Sequence, residues 1–380
     1  MSDSLLLKGF EVELFTGRTN GENVGVANSV VRDLPDFVTE PDQRNLEYTT
    51  QPIADYARLT EALLAPRRIL RAWLAERGLT LLPGSTLSLG NPNRFERSDP
   101  ENPYHALIET SYGTRVVTAS IHINLGLTNP ELLFAALRLV RCEAALLLAL
   151  SASSPFLGGQ LCDHHSQRWQ QFPLTPDKVP LFLDHDHYKQ WVEQQLAIGS
   201  MRNERHLWTS VRPNGPRRPY DLNRLELRIC DLVTDPAELL AITTLLELRV
   251  LSLARHPHQL DPLHSSSLSP EELAELADGN DAAAAQLSLD ADLHHWRDGT
   301  PVLCRRWIQD LIESITPLAE ELGLHERLLP LEGLLAGGNQ AMRWREAHAR
   351  GSSIAELLRA GIHAMEQQEQ VLHEPSPALG

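Results

Sequence analysis

The sequence predicts an α+β fold: an antiparallel sheet with helices packed on one of its faces. Four short segments alternate apolar with charged or amide residues at a period of two, the mark of strands with one buried face. Much of the remaining chain carries apolar residues at helical spacing. With 42% hydrophobic and 22% charged residues over 380 positions, the composition is that of an ordinary globular protein.

Taken in order, residues 8–15 (KGFEVELF) put Phe10, Val12 and Leu14 on one face and Glu11 and Glu13 on the other. Residues 45–50 (NLEYTT) oppose Leu46 and Tyr48 to Glu47 and Thr49. A helical pattern covers 53–77, with Pro66 marking a break or a fresh start. Residues 119–125 (ASIHINL) set Ile121, Ile123 and Leu125 against Ser120, His122 and Asn124. Asn129-Pro130 reads as an N-cap with Pro at the first helical position, opening a helix to about residue 150. Similar patterns occupy 188–198, 236–255, 302–322 and 352–370. Residues 224–230 (RLELRIC) oppose Leu225, Leu227 and Ile229 to Arg224, Glu226 and Arg228. Ser269, followed by Pro270, Glu271 and Glu272, caps a further helix. The Pro/His/Ser-rich stretch 256–269 reads as a surface loop. Nothing divides the chain sharply, so residues 1–373 are expected to form a single domain and 374–380 a disordered tail.

The charge balance narrows the function. Asp plus Glu number 50 against 34 Lys plus Arg, a formal net charge of −16. That argues against nonspecific binding to nucleic acid or an anionic membrane. Only Lys8, Lys178 and Lys189 are lysines, so any phosphate is expected to be held by Arg. Cys142, Cys162, Cys230 and Cys304 form no C-x-x-C pair and read as packing thiols of a reduced protein. The opening MSDSLLLKGFEVE lacks the pattern of a secretory leader, and the apolar run 132–150 is broken by Arg138, Arg141 and Glu143. A cytoplasmic, non-membrane protein is the expectation.

The polar strand faces carry the chemistry. Solvated faces usually mix Thr, Ser and Lys, whereas these repeat carboxylates and guanidinium groups. Glu11 and Glu13 have Cα atoms roughly 6–7 Å apart on one face, and charges so close repel unless a cation or Arg lies between them. Carboxylates converging from neighbouring strands suit Mg²⁺, and Arg beside them suits phosphate or a substrate carboxylate.

These segments resemble the bacterial glutamate–cysteine ligase type 2 and carboxylate–amine ligase family. Gly9-Phe10-Glu11-Val12-Glu13 resembles its G-x-E-x-E opening, and Leu46-Glu47-Tyr48-Thr49-Thr50 its second acidic strand. His122-Ile123-Asn124-Leu125-Gly126 is similar to an H-x-H-x-G strand, with Asn124 where many members have a second His. The segment 150–156 resembles the end of the family's central helix, Glu226 to Asp231 its E-x-R-x-x-D strand, and Asn339 to Arg343-Trp344 with Arg350-Gly351 its C-terminal segment. The run 88–95 looks most like the cyanobacterial glutamate–cysteine ligases.

The resemblance implies a glutamine-synthetase-like fold, its curved antiparallel sheet forming a funnel with helices outside. It implies ATP-dependent joining of the L-glutamate γ-carboxylate to the L-cysteine amine through a γ-glutamyl phosphate, the first step of glutathione synthesis. Glu11, Glu13, Glu47 and Glu226 are then the metal candidates for Mg²⁺. Arg228 and Glu226 are the catalytic candidates, His122, Asn124, Arg228 and Arg343 the ATP-binding ones, and Thr49, Arg168 and Arg350 the substrate-binding ones. Asn124 cannot titrate and is given a binding role only. L-glutamate, L-cysteine and ATP are the implied partners, with a homodimer admissible.

Other features read as structural. The Asp163-His164-His165, Asp184-His185-Asp186-His187 and His294-His295 clusters lack the spacing of a preformed metal site. Arg141 is expected to pair with Glu143 or to pack its stem, and Gly337-Gly338 to stop a helix. Three rival functions share parts of this pattern: a ligase using another amine, a metal-dependent hydrolase, and a noncatalytic sensor. A hydrolase would release product without ATP, and a sensor has no need of a multi-carboxylate site.

Overall fold

The computed structural model describes residues 4–370, so the expected tail at 374–380 lies outside the described residues. Its centre is a seven-stranded sheet. The strands run in the order Phe37–Thr39, Asn45–Thr49, Lys8–Gly17, Ile121–Gly126, Arg224–Leu227 and Val211–Asn214, and Thr80–Leu82 pairs with the end of Lys8–Gly17. Each pairing is antiparallel. The four alternating segments are therefore four adjacent strands.

The register decides what meets on the polar face. Glu11 lies opposite Thr49 on one side and His122 on the other, Glu13 opposite Glu47, and Asn124 opposite Glu226. Side chains alternate, so Phe10, Val12, Leu14, Leu46, Tyr48, Ile121, Ile123, Leu125, Leu225 and Leu227 all point the other way and are buried. They share one core with the helices Tyr56–Ala75, Pro130–Ser151 and Pro236–Arg255. The expected layering holds: helices on the apolar face, chemistry on the other.

Pro130–Ser151 begins as its cap predicts, the Asn129 side chain accepting from the Leu132 N–H. Three of its charges, Arg138, Arg141 and Glu143, are buried, and each finds a partner on another element. Arg138 forks onto Asp261, and Arg141 reaches Asp278, Asp281 and Ser210. Glu143 accepts from Arg249 at 3.0 and 2.6 Å and from the Trp296 indole at 3.1 Å. The expected Arg141–Glu143 pair is thus corrected. Positions two apart on a helix point to different sides, and each charge serves a different neighbouring segment.

Two local expectations also change. Tyr56–Ala75 runs through Pro66 without ending, because its buried stripe of Leu59, Leu63, Leu70 and Leu74 keeps it packed on both sides of the missing hydrogen bond. The stretch 256–269 holds two one-turn helices, Pro257–Leu260 and Pro262–Ser265, each opened by Pro at its first position. Asp261 between them is buried because it receives the Arg138 fork. Among the described residues no helix is long and apolar enough to cross a membrane.

Candidate active site

The polar face gathers carboxylates around one imidazole. His122 Nδ1 lies 2.9 Å from Glu11 Oε2 and its Nε2 3.9 Å from Glu13 Oε1. Ser120 donates to Glu13 at 2.8 Å and sits 3.1 Å from His122 Nε2. Asn124 donates to Glu11 at 3.1 Å and accepts from Arg224 Nε at 3.1 Å. Two groups can each converge on an ion: Glu11, Glu47 and His122, and Glu13, Glu40 and Glu47, with ligand atoms within 4.8 Å of one another. Glu47 belongs to both.

Glu226 joins neither group. It is fully buried, and its two oxygens accept from Arg212 at 2.8 and 3.0 Å, from Asn214 at 2.7 Å and from Arg228. Its Oε1 is 3.8 Å from His122 Nδ1, so it borders the first group while holding Arg228 in place. Arg212 is itself anchored by the Arg205 and Leu207 carbonyls, both at 2.9 Å.

Electrostatics divide the carboxylates. Burial, then the Glu13 charge, pushes the Glu40 carboxyl up to about 8. Burial, then Glu40, Glu11 and Glu13, pushes Glu47 up to about 10. For Glu226, burial acts upward, but Arg212, Arg228 and His122 overcome it and hold the group well below the usual range. Glu11 is also lowered: the His122 hydrogen bond and the His122 and Arg228 charges outweigh burial and Glu226. Arg228 is pushed up despite its burial, by Glu226, Glu11 and Glu13. Glu40 and Glu47 therefore hold their protons more tightly than free carboxyls do. Such a set of hard oxygens with one imidazole fits a small divalent ion.

A cavity of about 340 Å³ opens beside the cluster, with Glu13, Glu40, His122 and Arg228 on its wall. Arg168 also reaches it, but its NH1 and NH2 donate to the Ile229 and Arg228 carbonyls at 3.2 and 2.7 Å, and its Nε has no hydrogen-bond partner among the described residues. Its first effect is to fix the backbone that presents Arg228. Thr49 is exposed on the Glu47 side of its strand, opposite Glu11.

The structure does not bring the two C-terminal arginines to the cluster. Arg343 donates to Glu238 and to the Gly338 carbonyl, and Arg350 pairs with Glu346 of its own helix. Asn339 caps that helix and ties it to Ala149 and Ser288. Asp231 accepts from the Ser153 N–H and from the Ser154 and Ser166 hydroxyls, so the matching residues 151–154 are a buried clasp. Sequence reasoning missed Glu40, Arg212 and Asn214. Glu40 stands one residue beyond a three-residue strand, too short to show alternation. The Arg212 strand is masked by Pro213.

The model of a family described as glutamate-cysteine ligase family 2 matches residues 7–362. The chain belongs to glutamate–cysteine ligase family 2. A protein of Gloeobacter violaceus, provisionally named glutamate–cysteine ligase 2, is 27% identical over 339 residues, 86% of this chain and 87% of its own. A Rubrobacter xylanophilus protein, provisionally named glutamate–cysteine ligase 2-3, is 26% identical over 338 residues, 86% of each chain. In fold the family 2 chain matches glutamate–cysteine ligase of Francisella tularensis, solved with AMP, at a TM-score of 0.75 and 13% identity, covering 98% of this chain and 90% of that one. It matches a bifunctional glutathione synthetase of Pasteurella multocida at 0.75 and 16%, covering 97% of this chain but 53% of that one, so it spans about half that enzyme's length.

Proposed function

We propose that this family 2 chain joins the γ-carboxylate of L-glutamate to the amine of L-cysteine at the expense of ATP, through a γ-glutamyl phosphate, giving γ-glutamylcysteine, ADP and phosphate. The observation that carries the reading is the pair of overlapping carboxylate groups with Arg228 beside them on one sheet face. Glu11, Glu47 and His122 would hold one Mg²⁺, and Glu13, Glu40 and Glu47 a second. Magnesium there supplies the positive charge that neutralises phosphate oxygens. His122 thereby moves from the nucleotide to the metal, and Glu40 enters the ligand set.

The chain's own residues do the rest. Arg228 projects from the wall between Glu226 and the cavity, so its remaining N–H groups can take oxygens of the transferring phosphoryl group. Glu226, gripped by Arg212 and Asn214, keeps that guanidinium charged and oriented. Asn124 and Arg224 border the cluster and are assigned to the nucleotide. Arg343 and Arg350 are left out of the machinery, because their guanidinium groups are engaged elsewhere. The test is ADP release from purified protein with Mg²⁺, ATP and glutamate, screened over amine acceptors, with product mass measured. Cysteine-dependent ADP release supports the reading. Product formed without ATP would favour a metal-dependent hydrolase.

A further inference from the structure

The cavity is lined by two unlike kinds of group. Glu13, Glu40 and Arg228 bring charge from the sheet, and Tyr104, Trp169, Phe172 and Trp208 bring aromatic rings. Trp169 and Phe172 stack with centroids 6.3 Å apart and planes 10° apart, and Phe172 meets Trp208 at 5.3 Å. Trp208 packs in turn on Tyr112 at 5.2 Å and on His206 at 4.6 Å, which braces the wall from behind. Tyr104, Phe172 and Trp208 are only half-buried. In a chain with 6% aromatic residues, this is a concentration of ring surface facing one cavity. Rings left against water gain most from a flat apolar body that covers them. Glutamate, polar at both ends, gains little there. Arg205 also lines this cavity; it is exposed, and its guanidinium has no hydrogen-bond or ion-pair partner among the described residues. An unpaired fork beside an apolar slot suits a carboxylate attached to an apolar body.

We infer that the ring-lined part of this cavity is the acceptor subsite and that it takes amino acids with flat apolar side chains as well as cysteine, with their carboxylate on Arg205. The inference rests on the ligase reading above and concerns only which amine is accepted. Cysteine remains compatible, since sulfur packs favourably against ring edges. The acceptor nitrogen attacks the γ-carbonyl carbon of the acyl phosphate. A C–N bond forms, the C–O bond to phosphate breaks, and phosphate leaves with the electron pair. The acceptor ammonium gives up two protons, one to the departing phosphate and one to water.

The test compares cysteine, phenylalanine and phenethylamine as acceptors, reading ADP release and product mass. Phenylalanine should be ligated with kcat/KM within about tenfold of cysteine, the scale of a modest pocket preference. Phenethylamine, which lacks the carboxylate, should be poorer, and Arg205→Ala should narrow the gap between them. Trp208→Ala should lower phenylalanine use about tenfold relative to cysteine, the worth of one strong ring contact. Should Trp208→Ala fail to fold, the surface variant Arg205→Ala still carries the comparison. Good cysteine turnover with no phenylalanine product overturns this inference and leaves the ligase reading standing. No ADP release with any acceptor overturns both.

Discussion

Glu47 is where the two ligand groups overlap, and its proton is held hardest, with the group pushed up to about 10. Gln is close to an isostere of that protonated carboxyl. Glu47→Gln should therefore leave the metal-free protein as stable as the parent at neutral pH, while ligation falls at least about 100-fold, the scale of losing one strong electrostatic stabiliser. Thermal unfolding in chelator and steady-state ADP release check the two halves. Near-normal turnover would count against Glu47 as a metal ligand. Arg228 makes a different prediction. Lys keeps the charge but loses the planar fork that can grip Glu226 and an oxyanion together. Arg228→Lys should depress kcat by about 100-fold with little change in the KM for glutamate, as for a contact made in the transition state. An unchanged kcat with a raised KM would make Arg228 a ground-state ligand instead.

The opening strand is pinned to the helix layer by one buried contact. Lys8 is fully buried, its Nζ 2.9 Å from Glu247 Oε2 on Pro236–Arg255 and 4.3 Å from the centre of the Tyr56 ring. The Tyr56 hydroxyl donates to the same carboxylate at 2.7 Å. Lys8→Met should destabilise by about 3–5 kcal/mol, because buried Glu247 loses its cationic partner. Adding Glu247→Leu should recover only part of this, since the Tyr56 hydroxyl and Leu6 N–H then lose their acceptor; urea unfolding of both variants is the measurement. This element also shows what was legible in the sequence. Alternation placed Glu11, Glu13, Glu47, His122, Glu226 and Arg228 on one face because strand geometry leaves a side chain only two directions. It could not show that Glu226 is spent on Arg212 and Arg228, since cross-strand partners depend on strand order. The C-terminal arginines were inferred from motif order, which says where a residue falls in the chain and nothing about where its guanidinium points. Glu40 had no periodic context at all.

Across the whole molecule the acidic cluster and the arginines beside it set opposite pH limits on stability. Glu11 and Glu226 titrate below the ordinary carboxylate value of 4.5, so the stability they contribute is present above that pH and is lost on acidification. Glu40 and Glu47 titrate above it, near 8 and 10. The folded state then holds protons that the unfolded chain has released, so their contribution is fully present below 4.5 and is lost as pH rises through 8 and on towards 10. The metal-free protein should be most stable on the acid side of neutrality, with a melting temperature that declines steadily from pH 7 to 9. Mg²⁺ bound as proposed should reverse the sign of the alkaline limb, because an ion among these oxygens would replace the two protons. Two measurements follow from one titration in weak buffer at pH 7. Mg²⁺ should release up to about two protons per chain, the number carried by Glu40 and Glu47. Its stabilising effect should also grow with pH, since fewer protons then compete for the ligands. Mg²⁺ that stabilises the protein without releasing protons would mean that the ion sits elsewhere. The Glu47→Gln variant, which has one of those protons built in, should release about one fewer.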